Sequence, residues 1–126
     1  MPGIHAERIR ADIDAVETET TARIAVRVVD DPADDAFERA RREFDGAKLH
    51  EHPHRNAVLF LVAPKSRTFA VYGDRELHER VGDEFWNGLV TGMQPYFARG
   101  EMTEGLLFGI NRLGEKLLTL FPKPLP

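Results

Sequence analysis

The order of apolar patterns along this chain predicts an α/β fold: a three-layer α/β/α sandwich with a small mixed sheet, a central antiparallel hairpin and helices on both faces. Three observations carry that reading. Residues 57–63, Ala-Val-Leu-Phe-Leu-Val-Ala, are an unbroken apolar run, as expected of a strand buried on both faces. A short turn at 64–67 joins it to an alternating segment, and so short a connection forces antiparallel pairing. Four other stretches carry apolar residues at helical spacing, enough to cover the sheet on each side.

The elements follow in order. Residues 4–20 place Ile9, Ile13 and Val16 at helical spacing among acids and arginines. Ile24, Val26 and Val28 alternate with Ala25, Arg27 and Val29, the period of a strand, and Asp30-Asp31-Pro32 stops it. A second helix follows, with Phe37, Ala40 and Phe44 facing inward, Arg39, Arg41 and Arg42 mostly outward, and Asp45-Gly46 at its end. Residues 47–56 form a polar loop containing His50, His52 and His54. Beyond the apolar strand and its turn, residues 68–72 form the second arm of the hairpin, with Phe69 and Val71 on one face. Gly73-Asp74 break that strand. Residues 76–81 make a short helical turn ended by Gly82, and Asp83 is the expected N-cap of a helix running to Ala98. The core face of that helix is Trp86, Leu89, Val90, Met93 and Phe97, and Pro95 falls in its last turns. Gly100 closes it. A last helix over 101–120 is expected to bury Leu106, Leu107, Ile110, Leu113, Leu117 and Leu118. The chain reads as one domain over 1–126, its core spanning 5–122 and an extended, mobile tail covering 123–126.

Composition excludes several function classes. A chain of 126 residues is one domain's worth and long enough to bury a core without staples. A net charge of −4 argues against nucleic acid as a partner. No cysteine is present, so disulfides, thiolate metal sites and thiol-dependent phosphatase chemistry are excluded. The start Met-Pro-Gly-Ile-His lacks the basic and apolar regions of a signal peptide, and no apolar run is long enough to span a bilayer; the expectation is a soluble, cytoplasmic protein. There is no Gly-x-Gly-x-x-Gly, no Walker A loop and no Gly-x-Ser-x-Gly elbow. Asp12-Ile13-Asp14 falls on a helix, not at the strand end that aspartyl-phosphate chemistry requires.

A set of ordered motifs points to a family. Arg55-Asn56-Ala57-Val58-Leu59 opens it, and Gly73-Asp74, Leu77-His78-Glu79, Val81-Gly82-Asp83 and Phe85-Trp86 follow. Phe97-Ala98-Arg99-Gly100, Glu104-Gly105-Leu106 and Gly109-Ile110 close it. In order and spacing these resemble the TPM-domain family, most closely its short, stand-alone bacterial members, over residues 5–122. The resemblance implies an α/β/α sandwich. It implies no single reaction, because described members include an acid phosphatase of the plant thylakoid lumen linked to photosystem repair, binders of divalent cations such as calcium, and an accessory protein of a nematode acetylcholine receptor. Short members often carry a Glu just before the leading Ile of the first strand; Arg23 stands there in this chain.

The first candidate site is the acidic turn after the hairpin, with Asp74, Glu76, Glu79, Asp83 and Glu84. Calcium or magnesium requires several converging oxygens. Asp74, Glu76, Asp83 and Glu84 are the candidate ligands. The same residues have ordinary alternatives: Asp74 in a turn, Asp83 as a cap, Glu76 paired with Arg80 on a helix surface. A helix that begins with two acids repels phosphate, so phosphatase activity here would be metal-dependent. In that scheme Asp74 and Asp83 hold the ion, Arg75 steadies a phosphorylated small molecule and His78 is the general acid. The second candidate is the trio His50, His52 and His54, which an extended loop would place on one side. The third is Gly105, Gly109 and Gly114 in the last helix, explained by close packing or by a partner interface. Two function classes result: a cation-binding domain with modest phosphatase activity, and a non-catalytic module that binds a protein partner.

Overall fold

The apolar run becomes the middle strand of a three-stranded sheet in the computed structural model, which describes residues 4–124. The strands are β1 (Arg23–Val28), β2 (Ala57–Ala63) and β3 (Thr68–Gly73). β1 and β2 run parallel, with Ile24 opposite Val58. β2 and β3 run antiparallel, with Val58 opposite Gly73 and Ala63 opposite Thr68. The expected hairpin and mixed sheet are present, and the fold class is α/β. No residue of β2 is more than 1% exposed, which accounts for a strand sequence with no polar alternation.

The described residues fall into two compact units. One is Arg23–Arg80; the other joins the residues up to Ala22 with those from Val81 onward. In the first, helix α2 (Ala36–Gly46) supplies the crossover that a parallel strand pair needs. Asp35 caps it, its carboxylate accepting the Glu38 N–H at 3.0 Å. Ala40 and Phe44 pack on Leu59, Leu61 and Ala70, with Val29 and Leu49 closing the cluster. Phe37, expected inward, is 57% exposed. Its ring rests on Tyr72 of the edge strand, centroids 5.4 Å apart, so it overhangs the sheet margin with one face in water.

The second unit contains helices α1 (Ala6–Glu19), α4 (Asp83–Ala98) and α5 (Met102–Leu120), with α5 packed against both of the others. Their buried stripes are Ile9 and Ile13; Trp86, Leu89, Met93 and Phe97; and Leu106, Ile110, Leu113 and Leu117. Val90 and Leu107 are only half-buried and Leu118 is 46% exposed. Leu107 and Leu118 each sit one residue round the helix from the stripe, which carries them off the buried face. Two glycines permit the close approach of α5. A Cβ on Gly105 would lie 2.6 Å from the Phe97 ring, and one on Gly114 would lie 2.7 Å from Val16. Gly109 is buried as well.

Asp83 is not the N-cap of α4. Gly82 takes that position with φ of +82°, a backbone region that glycine enters at little cost, so the chain turns there and Asp83 is already helical. α4 continues past Pro95 and ends in a Schellman motif: the Gly100 N–H donates to the Phe97 carbonyl at 3.1 Å and the Glu101 N–H to the Tyr96 carbonyl at 2.8 Å. Beyond α5 the chain returns to α1, the Lys123 N–H donating to the Glu19 carbonyl at 3.0 Å. Of the tail expected over 123–126, residues 125–126 lie outside the described residues.

Candidate functional site

The hairpin register sets the geometry at Asp74. The pairing that places Val58 opposite Gly73 carries one step further, and the Asp74 N–H donates to the Ala57 carbonyl at 2.9 Å. The chain entering β2 makes a tight bend in which Arg55 adopts φ of +51°. Its N–H donates to the His52 carbonyl at 3.0 Å, and its carbonyl accepts the Glu76 N–H at 3.2 Å. The bend therefore sits directly against the start of α3 (Arg75–Val81). The Asp74 carbonyl accepts the His78 N–H at 2.8 Å, which begins that helix.

The side chains of Arg55 and Asp74 meet in a bidentate fork. Arg55 Nε donates to Asp74 Oδ2 at 2.7 Å, and Arg55 Nη2 to Oδ1 at 2.9 Å. The Arg75 N–H donates to the same Oδ1 at 2.8 Å. The Asp74 side chain is 7% exposed and that of Arg55 32%. A carboxylate this buried is stable only when paired and hydrogen-bonded, and here it is both. Burial pushes the Asp74 carboxyl up; the Arg55 guanidinium and the Arg75 N–H more than reverse that, and the net effect holds it below the ordinary carboxylate value. The same pairing, against the opposing effect of desolvation, raises the already high value of Arg55.

A depressed folded-state value has a defined sign in pH. The folded chain binds the Asp74 proton less tightly than the unfolded chain does. The stabilisation is therefore fully present above the unfolded value and is lost as pH falls through the lower folded one. Denaturant titrations of the wild type and Asp74→Asn over about pH 2 to 7 are expected to show their widest stability gap near neutrality and a closing gap below about pH 4. A gap that stays constant across that range would rule out the charge pairing as its source.

The other candidate residues occupy different surroundings. Arg75, Glu76, His78 and Glu79 have exposed side chains on α3. Asp83 and Glu84 are exposed in the first turn of α4, where acids complement the helix dipole. Among the described residues, no three histidine or carboxylate side chains gather into a group that could hold a metal ion. The expected histidine row is broken because Leu49–Glu51 form a 3-10 turn. His52 and His54 keep their rings 5.9 Å apart, but the turn removes the extended geometry that would align His50 with them. Asp12 accepts an N–H of Asn111 at 2.6 Å and Asp14 pairs with Arg10 at 3.6 Å, surface duties for both.

Sequence reasoning names Arg55 only as the opening of a motif and misses its pairing with Asp74. The signal was present in the hairpin arithmetic, since antiparallel strands bring the residue entering one arm beside the residue leaving the other. What the sequence did not disclose is the positive φ at Arg55, on which the bend at the start of β2 depends.

Comparison with known proteins agrees with this architecture. The model of the family described as the TPM domain matches residues 4–116. The NMR structure of the BA42 protein from the psychrophilic bacterium Bizionia argentinensis is similar at a TM-score of 0.80 and 32% identity, over 94% of this chain and 84% of that one. Among curated proteins no relative matches the sequence. No helix among the described residues is long and apolar enough to cross a membrane.

Proposed function

This chain belongs to the TPM-domain family, and on that premise we propose that it is a non-catalytic recognition module for a protein partner, in which Asp74 is a structural latch and not the anchor of an ion or phosphoryl site. One observation carries the reading of Asp74 as a latch: both of its carboxylate oxygens are engaged, by the Arg55 fork and the Arg75 N–H. An ion ligand needs lone pairs directed at the ion. Three of the four acceptor sites of this carboxylate are taken by these donors, and the guanidinium charge beside the fourth repels a cation, so serving an ion would work against the pairing. The acids on α3 and at the start of α4 then act as solvated helix residues, and Arg75 and His78 as surface side chains.

Turnover tests this reading. The purified chain, assayed with p-nitrophenyl phosphate in millimolar calcium or magnesium and again with chelator, is expected to stay at background in all cases, and Asp74→Asn is expected to change nothing. A stable partner recovered at fixed stoichiometry from the same preparation is the companion result. Chelator-sensitive hydrolysis that Asp74→Asn abolishes while the fold is retained would establish the metal-dependent phosphatase class instead.

A further inference from the structure

A second place in the molecule carries unused chemistry. A shallow, open groove of about 400 Å³ lies on the unit formed by α1, α4 and α5. Its apolar wall is the ring pair Tyr96 and Phe108, centroids 5.6 Å apart and tilted by 36°, with half-buried Leu107 beside them. Gly92 helps to fix that wall: its missing Cβ would lie 2.6 Å from the Phe108 ring, which occupies the space.

The polar groups of the groove divide into committed and uncommitted. Arg8 pairs with Glu104 at 3.4 Å, and the Asn111 amide nitrogen is held by Asp12 and by the Leu107 carbonyl at 2.6 and 2.8 Å. Arg112 and Glu115 also line the groove, and among the described residues neither side chain makes a hydrogen bond or ion pair, the Glu115 backbone carbonyl alone accepting from Thr119. They are three apart on α5 and so share a face, yet they do not neutralise each other. An aromatic wall beside one free guanidinium and one free carboxylate is complementary to a ligand with a ring and both charges.

We propose that this groove binds an aromatic zwitterion, of the class of free aromatic α-amino acids. The ring lies on Tyr96 and Phe108, the ligand carboxylate meets the Arg112 guanidinium, and the ligand ammonium meets the Glu115 carboxylate. The planar guanidinium suits a carboxylate in two-point contact. The charges are solvent-exposed, so the affinity is modest and weakens with added salt. None of these residues belongs to the acidic turn, so this proposal and the reading of Asp74 stand or fall separately.

The test is a titration of the full chain at low salt, followed by backbone amide shifts, with three probes: L-phenylalanine, N-acetyl-L-phenylalanine and L-phenylalaninamide. L-phenylalanine is expected to give saturable shifts at the amides of residues 107–115 with a dissociation constant on the order of 1 mM. The two analogues, each lacking one charge, are expected to bind at least about tenfold more weakly. Arg112→Gln and Glu115→Gln, both at exposed positions, should keep the wild-type spectrum elsewhere and lose the L-phenylalanine response. No saturable shift at these amides, equal binding of either analogue, or an unchanged response in Arg112→Gln would overturn the proposal.

Discussion

Arg55→Ala is expected to destabilise the fold by about 2–4 kcal/mol, measured by urea or thermal unfolding at neutral pH. The substitution leaves a buried carboxylate behind. Asp74 keeps its place at the end of β3 with its side chain 7% exposed, but its fork is gone. A carboxylate so placed then has only the Arg75 N–H to offset its lost solvation, and breaking a buried pair from one side typically costs about 3–5 kcal/mol. The lower figure is expected here because Arg55 is one-third exposed and water can partly replace it. Backbone strain does not drive the difference: alanine at φ of +51° is as disfavoured as arginine. Arg55→Lys, which keeps the charge but not the two-pronged geometry, should fall between the two. A double-mutant cycle with Asp74→Asn should return a coupling of about 1–3 kcal/mol. A loss under about 0.5 kcal/mol for Arg55→Ala would mean that the fork does not hold the turn.

Gly105→Leu is expected to cost about 3 kcal/mol or more, although leucine is a far better helix former than glycine. The position has no room. A Cβ there lies 2.6 Å from one Phe97 ring carbon, 3.0 Å from another and 3.0 Å from the Tyr96 Cβ. Phe97 is 4% exposed in the packed interior of its unit and has little freedom to withdraw. Gly105→Ala separates the two effects: propensity favours it by about 1 kcal/mol, and the steric overlap opposes it. A net loss is expected. Gly88 on α4 is the control, because nothing lies within 4 Å of its Cβ direction; Gly88→Ala should stabilise by about 0.5–1 kcal/mol. If Gly105→Leu melts at the wild-type temperature, close packing is not what retains glycine there.

These two positions show what the sequence could and could not disclose. The β2 run and its short turn were legible because burial on both faces and a tight connection leave few alternatives. Helix stripes were legible in their centres and wrong at their margins: Phe37 and Leu118 fit an apolar pattern but fall beyond the surface that α2 and α5 cover. The cap of α4 was misplaced by one residue, because Gly82 and Asp83 both suit a helix start and only the φ of Gly82 decides between them. The glycines of α5 announced close packing, since glycine inside a helix costs stability unless something approaches it. The fork was hidden for a different reason. Asp74 was singled out as an ion ligand, whereas its partner in the fold is Arg55, which lies 19 residues earlier and reaches it through a left-handed bend. Hairpin pairing brings the two segments together, but local pattern does not disclose the bend at Arg55.

The central claim is that the Asp74 carboxylate is occupied by Arg55 and is not an ion ligand. The most direct measurement is a calcium and magnesium titration of the wild type followed by backbone amide shifts over residues 73–85. The fork predicts no saturable shift there at millimolar ion. A saturable shift confined to those amides, and lost in Asp74→Asn, would contradict it.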